Sequence, residues 1–556
     1  MRITHSLKWL VVLSTLVSLV IIQKDLGTVL AQAPQPNLPT LSLESRDSID
    51  ELFSDSKTQE SSSISPLSLE QGPQIRRKRL VNVRFDRLAN IQLFGEPNVG
   101  NSLSSNVSPQ IKLNLFNDVA LGFEISKKIS NQDGSTSLIG KIEGVPLSQV
   151  TITYKANRLY GSVVSLVGVY EIMGVDGDTH VIYDVDQSKF GGDEVVTVKS
   201  SSLSESQIHN AEYDDGSIID VLVAYTTNLR VAERGQVGAE LLINNAVNST
   251  NTSYQNSSIN SRLRLVGAIE VNYGETGNSR TDLDNLRDGK AGLQIVRLLR
   301  DALAADLVVL IVEGPLTDGS GKGACGEAYE IMGEVSATFE QNAYVVANKS
   351  CVNSNFTFAH ELGHLMGARH DWYVDDTNNE PYSYNHGHVI IDSVNPANSW
   401  RTVMAYPDKC KALGITPCNR VNLWSDGSTN GVKAGTSTSC SEGNKNNPNC
   451  DADNRLAISN TALTVSKFRL GNFTDVYVST TCTIIEGPLC VQTGTDTYPF
   501  VTFAKGVFRA APSTTVWVKP GNYPETLLLV EKNPRGLIID RPMTIRATSG
   551  IAIIGQ

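Results

Sequence analysis

The spacing of hydrophobic positions changes character along the chain. From about residue 80 to 200, short runs alternate apolar and polar residues, as in "SQVTITYKANRLYGSVV" and "THVIYDVD", with Gly, Asn and Asp between them. A period of two marks strands with one buried face, so this segment is predicted to be all-β. From residue 216 the period switches back and forth. "IIDVLVAYT" reads as a buried strand, "GAELLINNAVNSTNTSYQNS" as a helix and "SRLRLVGAIEVNY" as a strand. "GLQIVRLLRDALAA" is a helix again, and "DLVVLIVEG" a strongly apolar strand. Strands alternating with helices predict an α/β layer with a mostly parallel sheet. Two more strands follow, "CGEAYEIM" and "AYVVANKSC", then a loop-rich stretch closed by a helix in "ADNRLAISNTALTVSKFRL". Beyond about 471 the pattern is β once more, with Pro-Gly turns.

The two ends of the chain differ from this. Residues 34 to about 75 are rich in Ser, Pro, Gln and acidic residues, which suits a linker or leader. At the start, Arg2 and Lys8 precede the apolar run Trp9–Ile22, and "AQA" follows at Ala31–Ala33. A basic start, a short apolar core and a small-x-small site form a secretory signal pattern. The run is short for a span of about 20 residues. The expectation is therefore a secreted or extracytoplasmic, multidomain protein with no stable membrane span after cleavage. The expected divisions are 1–33 signal peptide, 34–215 leader and β-rich segment, 216–470 α/β domain, and 471–556 a small β module.

Composition narrows the picture. The chain has 556 residues, too many for one core. A net charge of -11 disfavours nucleic acid as a partner. The single basic run, "IRRKR" at Ile75–Arg79, fits a processing site, an arm or a solvated strand edge, and the strand edge is favoured. All eight cysteines lie at or beyond Cys325. An even count in an exported chain implies disulfides. The close pairs 410/418, 440/450 and 482/490 suit local loops, leaving Cys325 with Cys351, although spacing leaves the connectivity open. No C-x-x-C is present.

Candidate chemistry concentrates in "FAHELGHLMGARHD", Phe358–Asp371. His360 and His364 are four apart, about 40° apart on one helix face. Two imidazoles so placed can chelate one zinc ion, with Glu361 beside them to hold a water. In an unbroken helix His370 would lie about 9 Å beyond His364 and point roughly 120° away. Gly367 removes that obstacle, because glycine adopts positive φ cheaply and can end the helix. His370 can then return as a third ligand, leaving a fourth position for water, as a catalytic zinc site requires. His386 and His388, in "PYSYNHGH", read as loop histidines rather than a second metal site. No calcium site is legible.

The pattern H-E-x-x-H-x-x-G-x-x-H with a later methionine turn, here "WRTVMAYPDKC", resembles the metzincin zinc metalloproteases. Asp371 after the third histidine resembles the reprolysin/adamalysin branch. The stretch from "CVNSNFTFAHELGHLMGARHD" through "CNRVNLWSD" to "DNRLAISNTALTVSKFR" is similar to the bacterial peptidyl-Asp metalloendopeptidases. The resemblance covers roughly residues 216–470. It implies an α/β fold with a mixed sheet and an active-site helix, protein or peptide substrates, and one catalytic Zn2+. It further implies that His360, His364 and His370 are the ligands, Glu361 the general base and Met404 an apolar floor. Tyr406 resembles a tyrosine that some relatives place near zinc, and ordinary packing explains it equally well. Arg401, Lys409 and Lys411 flank the methionine turn and are candidates for meeting an acidic substrate side chain. The segment before 216 sits where such enzymes carry a propeptide, yet it holds no cysteine, so latency by a zinc-bound thiolate is unavailable. The C-terminal "VKPGNYPETL" and "RPMTIRAT" resemble the opening coils of a pectin-lyase-like β-helix, which implies polysaccharide or surface contact. The competing reading is a surface-binding protein with a vestigial metzincin domain, although no ligand or base is missing from the motif.

Overall fold

The computed structural model describes residues 51–56, 72–89, 91, 109–199, 216–333, 335–378, 380–427, 434–436 and 443–469, and short stretches between 475 and 554. The expected signal peptide, most of the Ser/Pro-rich leader, Cys440 and Cys482 lie outside the described residues.

The alternating segment and one strand from the stretch expected to be leader, β1, form nine strands: β1 (Phe53–Asp55), β2 (Ile75–Val83), β3 (Gln110–Phe116), β4 (Val119–Ser130), β5 (Thr136–Ile142), β6 (Gln149–Lys155), β7 (Arg158–Val164), β8 (Val169–Asp176) and β9 (Thr179–Val185). A short helix, α1 (Phe85–Ala89), follows β2. The strands pair antiparallel in the order β1-β2-β9-β8-β7-β6-β5-β4-β3. The sheet curls until its ends meet: Leu52 N–H donates to Lys112 O at 2.9 Å and Phe53 N–H to Asn114 Oδ1 at 3.0 Å. Alternation then sorts side chains to two faces. Leu113, Phe123, Leu138, Ile152, Val163 and Ile172 fill the inside. Tyr160, Val164, Met173 and Tyr183 join the core of the rest of the molecule. The basic run is the first half of β2, where Arg77 pairs with Asp118 at 2.7 Å and Asp184 at 2.9 Å.

The second sheet is built from β10 (Gly192–Lys199), β11 (Ile218–Thr226), β12 (Arg262–Val271), β13 (Leu307–Val312), β14 (Leu316–Thr317), β15 (Gly323–Met332) and β16 (Tyr344–Asn348). Its order is β10-β15-β16-β13-β11-β12, with β14 paired to β15. β12, β11, β13 and β16 are mutually parallel, while β15 runs antiparallel to β16. The sheet is therefore mixed. β13 is buried at all six positions, as a strand covered on both faces must be. The helices are α2 (Thr227–Ala232), α3 (Gln236–Asn256), α4 (Ser279–Asp288), α5 (Gln294–Ala302), α6 (Lys349–Val352), α7 (Thr357–Leu365), α8 (Asp408–Ala412) and α9 (Asn454–Val465).

β10 departs from the expected division at residue 216. It lies in the sequence before that boundary, yet it pairs parallel to β15 and so completes the second sheet. α3 is buried on both sides, which explains its polar residues. Asn245 donates to Thr151 O and accepts from Ser162 Oγ, and Asn248 donates to Asn131 Oδ1 and Ser137 Oγ. These contacts join the curled sheet to the α/β layer. Disulfides Cys325–Cys351 and Cys410–Cys418 are formed.

Beyond 471, strand 515–518 pairs parallel with both 475–478 and 544–547. No helix among the described residues is long and apolar enough to cross a membrane.

Candidate metal centre and its surroundings

α7 carries His360, Glu361 and His364, all fully buried. The helix ends as glycine at position 367 allows. Gly367 has φ +79°; its N–H donates to His364 O at 3.1 Å, and Ala368 N–H donates to Gly363 O at 2.9 Å. That pair of bonds is a Schellman turn. The chain reverses, and Asn385 Nδ2 holds the Gly367 carbonyl at 2.6 Å. His370 then faces the helix.

The three Nε2 atoms converge. They lie 3.1 Å apart for His360–His370, 3.2 Å for His360–His364 and 3.1 Å for His364–His370. His360 Nδ1 faces Val403 O at 2.9 Å, and His364 Nδ1 faces Ala368 O at 3.0 Å. Carbonyls only accept, so those Nδ1 atoms carry the proton and the Nε2 lone pairs point inward. Burial holds all three imidazoles well below their ordinary pKa, His364 at about 3, which keeps them neutral. Three ring nitrogens converging at this spacing, with two lone pairs fixed inward, suit a cation among them, so the donor set fits zinc. His364 is also 3.3 Å from Glu330, whose carboxylate pairs with Arg369 at 2.9 Å and is pushed up to about 8 by burial.

Glu361 lies beside this cluster with neither carboxylate oxygen hydrogen-bonded. Burial, and then the negative charge of Asp193, push its carboxyl well above the usual range. Gly326 of β15 leaves room for it, since a Cβ there would be 2.6 Å from Glu361 Oε1. Met404 packs under α7: a Cβ on Gly363 would be 2.8 Å from its Sδ. Asp371 ties the third histidine to the methionine turn. Its Oδ2 accepts Tyr406 N–H at 2.8 Å and its Oδ1 accepts Tyr373 N–H at 3.1 Å, while burial raises its carboxyl to about 6.

The Tyr406 ring lies 4.4 Å from the His370 ring. Its hydroxyl donates to the Asp193 carbonyl and accepts Asp193 N–H at 2.7 Å. Asp193 belongs to β10, and its sequence context does not mark it. Its Oδ1 accepts from Thr357 Oγ1 at 2.9 Å, and its Oδ2 pairs with Arg420 Nη2 at 2.9 Å and lies 3.7 Å from His360 Nδ1. Ligand atoms of Asp193, His360 and Glu361 come within 4.8 Å of one another. Neither Asp193 nor Arg420 was legible by spacing, because only folding brings β10 and the strand at Asn419–Arg420 to α7.

The cations expected to meet an acidic substrate have these surroundings. Arg401 is buried, and its guanidinium donates to Cys418 O at 3.2 Å and Ala405 O at 2.7 Å. Lys409 donates to Asn449 at 3.3 Å, and Lys411 is exposed. His386 is buried, stacked on Trp372 at 3.4 Å and 2.7 Å from His370 O through Nδ1. It braces the His370 loop. A cavity of about 910 Å3 lies between the curled sheet and β15, lined by Met173, Tyr183, Phe190, Glu313 and Lys349. The histidines do not line it.

The reprolysin-like model of metallo-peptidase family M12B matches residues 216–430. The chain is 30% identical over 349 residues to a peptidyl-Asp metalloendopeptidase of Stenotrophomonas maltophilia (strain R551-3), covering 61% of this chain and 75% of that protein. It is 28% identical over 333 residues to the enzyme of the same name from Xanthomonas campestris, covering 58% and 70%. A third, from Pseudomonas fragi, is 32% identical over 133 residues, covering 23% of this chain and 68% of that protein. Together with the motif, the mixed sheet and the histidine cluster, these similarities show that the chain belongs to the reprolysin-like M12B metallopeptidases and is a zinc metalloendopeptidase.

Proposed function

We propose that the chain is a secreted endopeptidase in which His360, His364 and His370 hold zinc, Glu361 is the general base, and bonds next to acidic residues are preferred. The observation that carries this reading is the buried, unpartnered Glu361 carboxylate beside three converging Nε2 atoms. Zinc held by these residues would supply a Lewis acid and make a water more acidic. Glu361 takes the proton as water attacks the scissile carbonyl, then delivers it to the leaving amine nitrogen. Tyr406 stays protonated, held up by burial, and its hydroxyl already donates to one peptide carbonyl, that of Asp193. The same donor suits the developing oxyanion of a substrate carbonyl. Met404 supplies packing beneath the helix rather than chemistry.

Support for an acidic preference comes from the peptidyl-Asp names of the relatives. Export is supported by the signal pattern at Arg2–Ala33 and by two formed disulfides. Polysaccharide or surface contact through the segment beyond 471 rests on sequence resemblance alone. The test is Glu361→Gln in the full chain, assayed before and after limited trypsin treatment. The variant should keep its zinc by metal analysis and lose peptide hydrolysis by about 10²–10⁴-fold. Near wild-type turnover would remove Glu361 from the role.

A further inference from the structure

Arg420 is a buried guanidinium, 2% exposed, at the flank of α7. Nη1 donates to Asn355 O at 2.8 Å, Nη2 reaches Asp193 Oδ2 at 2.9 Å, and Nε has no partner. Among the described residues Asp193 is the carboxylate paired with it. A buried cation left without its counter-charge costs several kcal/mol. This position therefore demands an acid.

Asp193 meets that demand from an unusual place. Its strand, β10, adds to the β15 edge of the α/β sheet, as extended peptides add to exposed sheet edges. Asp193 pairs in register with Gly326, the residue that makes room for Glu361. Its main chain is held through both N–H and C=O by the Tyr406 hydroxyl. Its side chain turns inward past Thr357 and His360, one turn of α7 from the base, to end on Arg420. An extended backbone beside the general base, with one acidic side chain in a closed cationic pocket, is what a substrate with an acidic residue at the reacting bond would present.

We propose that Arg420 is the residue that reads the acidic side chain of the substrate, and that Asp193 fills its pocket as an internal surrogate for that side chain. This deepens the peptidase reading and rests on it. Peptide and β10 compete for one edge and one cation, so the full chain is held back until Asp193 withdraws. The substrate class is peptides with Asp or Glu adjoining the cleaved bond. Neutral isosteres such as Asn leave Arg420 without a counter-charge and are rejected.

The experiment compares two fluorogenic peptides, identical except for a single Asp or Asn, on the full chain. Asp193→Asn should raise early hydrolysis of the Asp peptide about ten-fold or more, before intact-mass spectrometry detects chain cleavage. Arg420→Gln should lower the Asp-over-Asn ratio of kcat/KM by about 100-fold or more. Arg420→Lys should restore part of the ratio. An unchanged ratio in a folded Arg420→Gln chain, or no gain in Asp193→Asn, overturns the proposal. Because Arg420 also holds the Asn355 carbonyl, thermal melting accompanies each variant. A second readout needs no turnover. In the Glu361→Gln/Asp193→Asn chain, fluorescence anisotropy should show tighter binding of the Asp peptide than of the Asn peptide. Equal binding overturns the proposal even where Arg420 variants fail to fold. Retained discrimination in binding, with no hydrolysis by any wild-type preparation, would instead remove the peptidase reading and leave Arg420 as an acid-binding residue.

Discussion

His180 is fully buried in the curled sheet, with Nε2 accepting Leu159 N–H at 3.0 Å and Nδ1 on Asp178 O at 2.9 Å. Burial lowers its pKa to about 4, partly offset by the Asp178 carbonyl, with Arg158 lowering it further. The fold therefore favours the neutral ring. Its contribution to stability is complete above an unfolded pKa of about 6.5 and is lost as pH falls through about 4. The shift corresponds to about 3 kcal/mol over that window. Urea unfolding between pH 7 and 4 should show this loss, and His180→Gln should flatten the slope relative to wild type. A second single-residue test concerns Gly326. Its absent side chain leaves space for Glu361, and a Cβ there would also meet Thr357 Cγ2 at 2.9 Å. Gly326→Ala should displace the Glu361 carboxylate and cut kcat by about 10²-fold, since misplacement near 1 Å costs that much. Metal analysis should find zinc unchanged, because the histidines are not touched.

At the scale of elements, the critical feature is how α7 ends. Gly367→Ala places a Cβ at φ +79°, costing about 1–2 kcal/mol, and 3.1 Å from Pro381 Cγ. The turn would relax and His370 would move off the Nε2 cluster. Competition with a chelator should show zinc affinity at least about ten-fold weaker, with a lowered Tm. This part of the site was legible because it is local: three histidines, a glutamate and a glycine within one helix and its cap. The alternating strands β6, β7 and β9 and the helix–strand succession from β11 to β13 were legible for the same reason, through period. α4 was not, because "SRTDLDNLRD" is polar and buries only Leu283 and Leu286 among its apolar residues. Its ends carried the usable signal: Asn278 caps Thr281 N–H at 2.8 Å, and Gly289 closes the helix at φ +65°. Asp193 left no local trace, and Arg420 lies in the quoted "CNRVNLWSD" with nothing to mark it among its neighbours. Their meaning comes from elements that only folding brings together.

For the whole molecule, the contacts between the curled sheet and the α/β layer combine apolar packing with a buried set of side-chain amides. Besides Asn245 and Asn248, Gln149 donates to Ser249 at 2.8 Å, Gln187 to Ser354 O at 2.7 Å, and Asn419 to Ser165 O at 2.9 Å. Amide groups tolerate return to water, so such a face suits a part that is held firmly and later given up. β10 is the piece of it that reaches the histidine cluster, and residues 200–217 connect β10 to β11. That connecting sequence includes "SSLSESQIHNAEYDDG", with Asp214 and Asp215 near its end. An enzyme that prefers bonds next to acidic residues would find its own preferred sequence between the strand that fills its pocket and the first strand of its core. The expected outcome is self-processing there. Wild-type protein added to the Glu361→Gln chain should cut it, and mass spectrometry should place the new terminus at Asp214 or Asp215. Peptide hydrolysis by the wild type alone should start with a lag that shortens as protein concentration rises, since one molecule cuts another. Chelator should abolish both. Cleavage confined to sites distant from these aspartates, or a lag independent of concentration, would separate activation from the enzyme's own specificity.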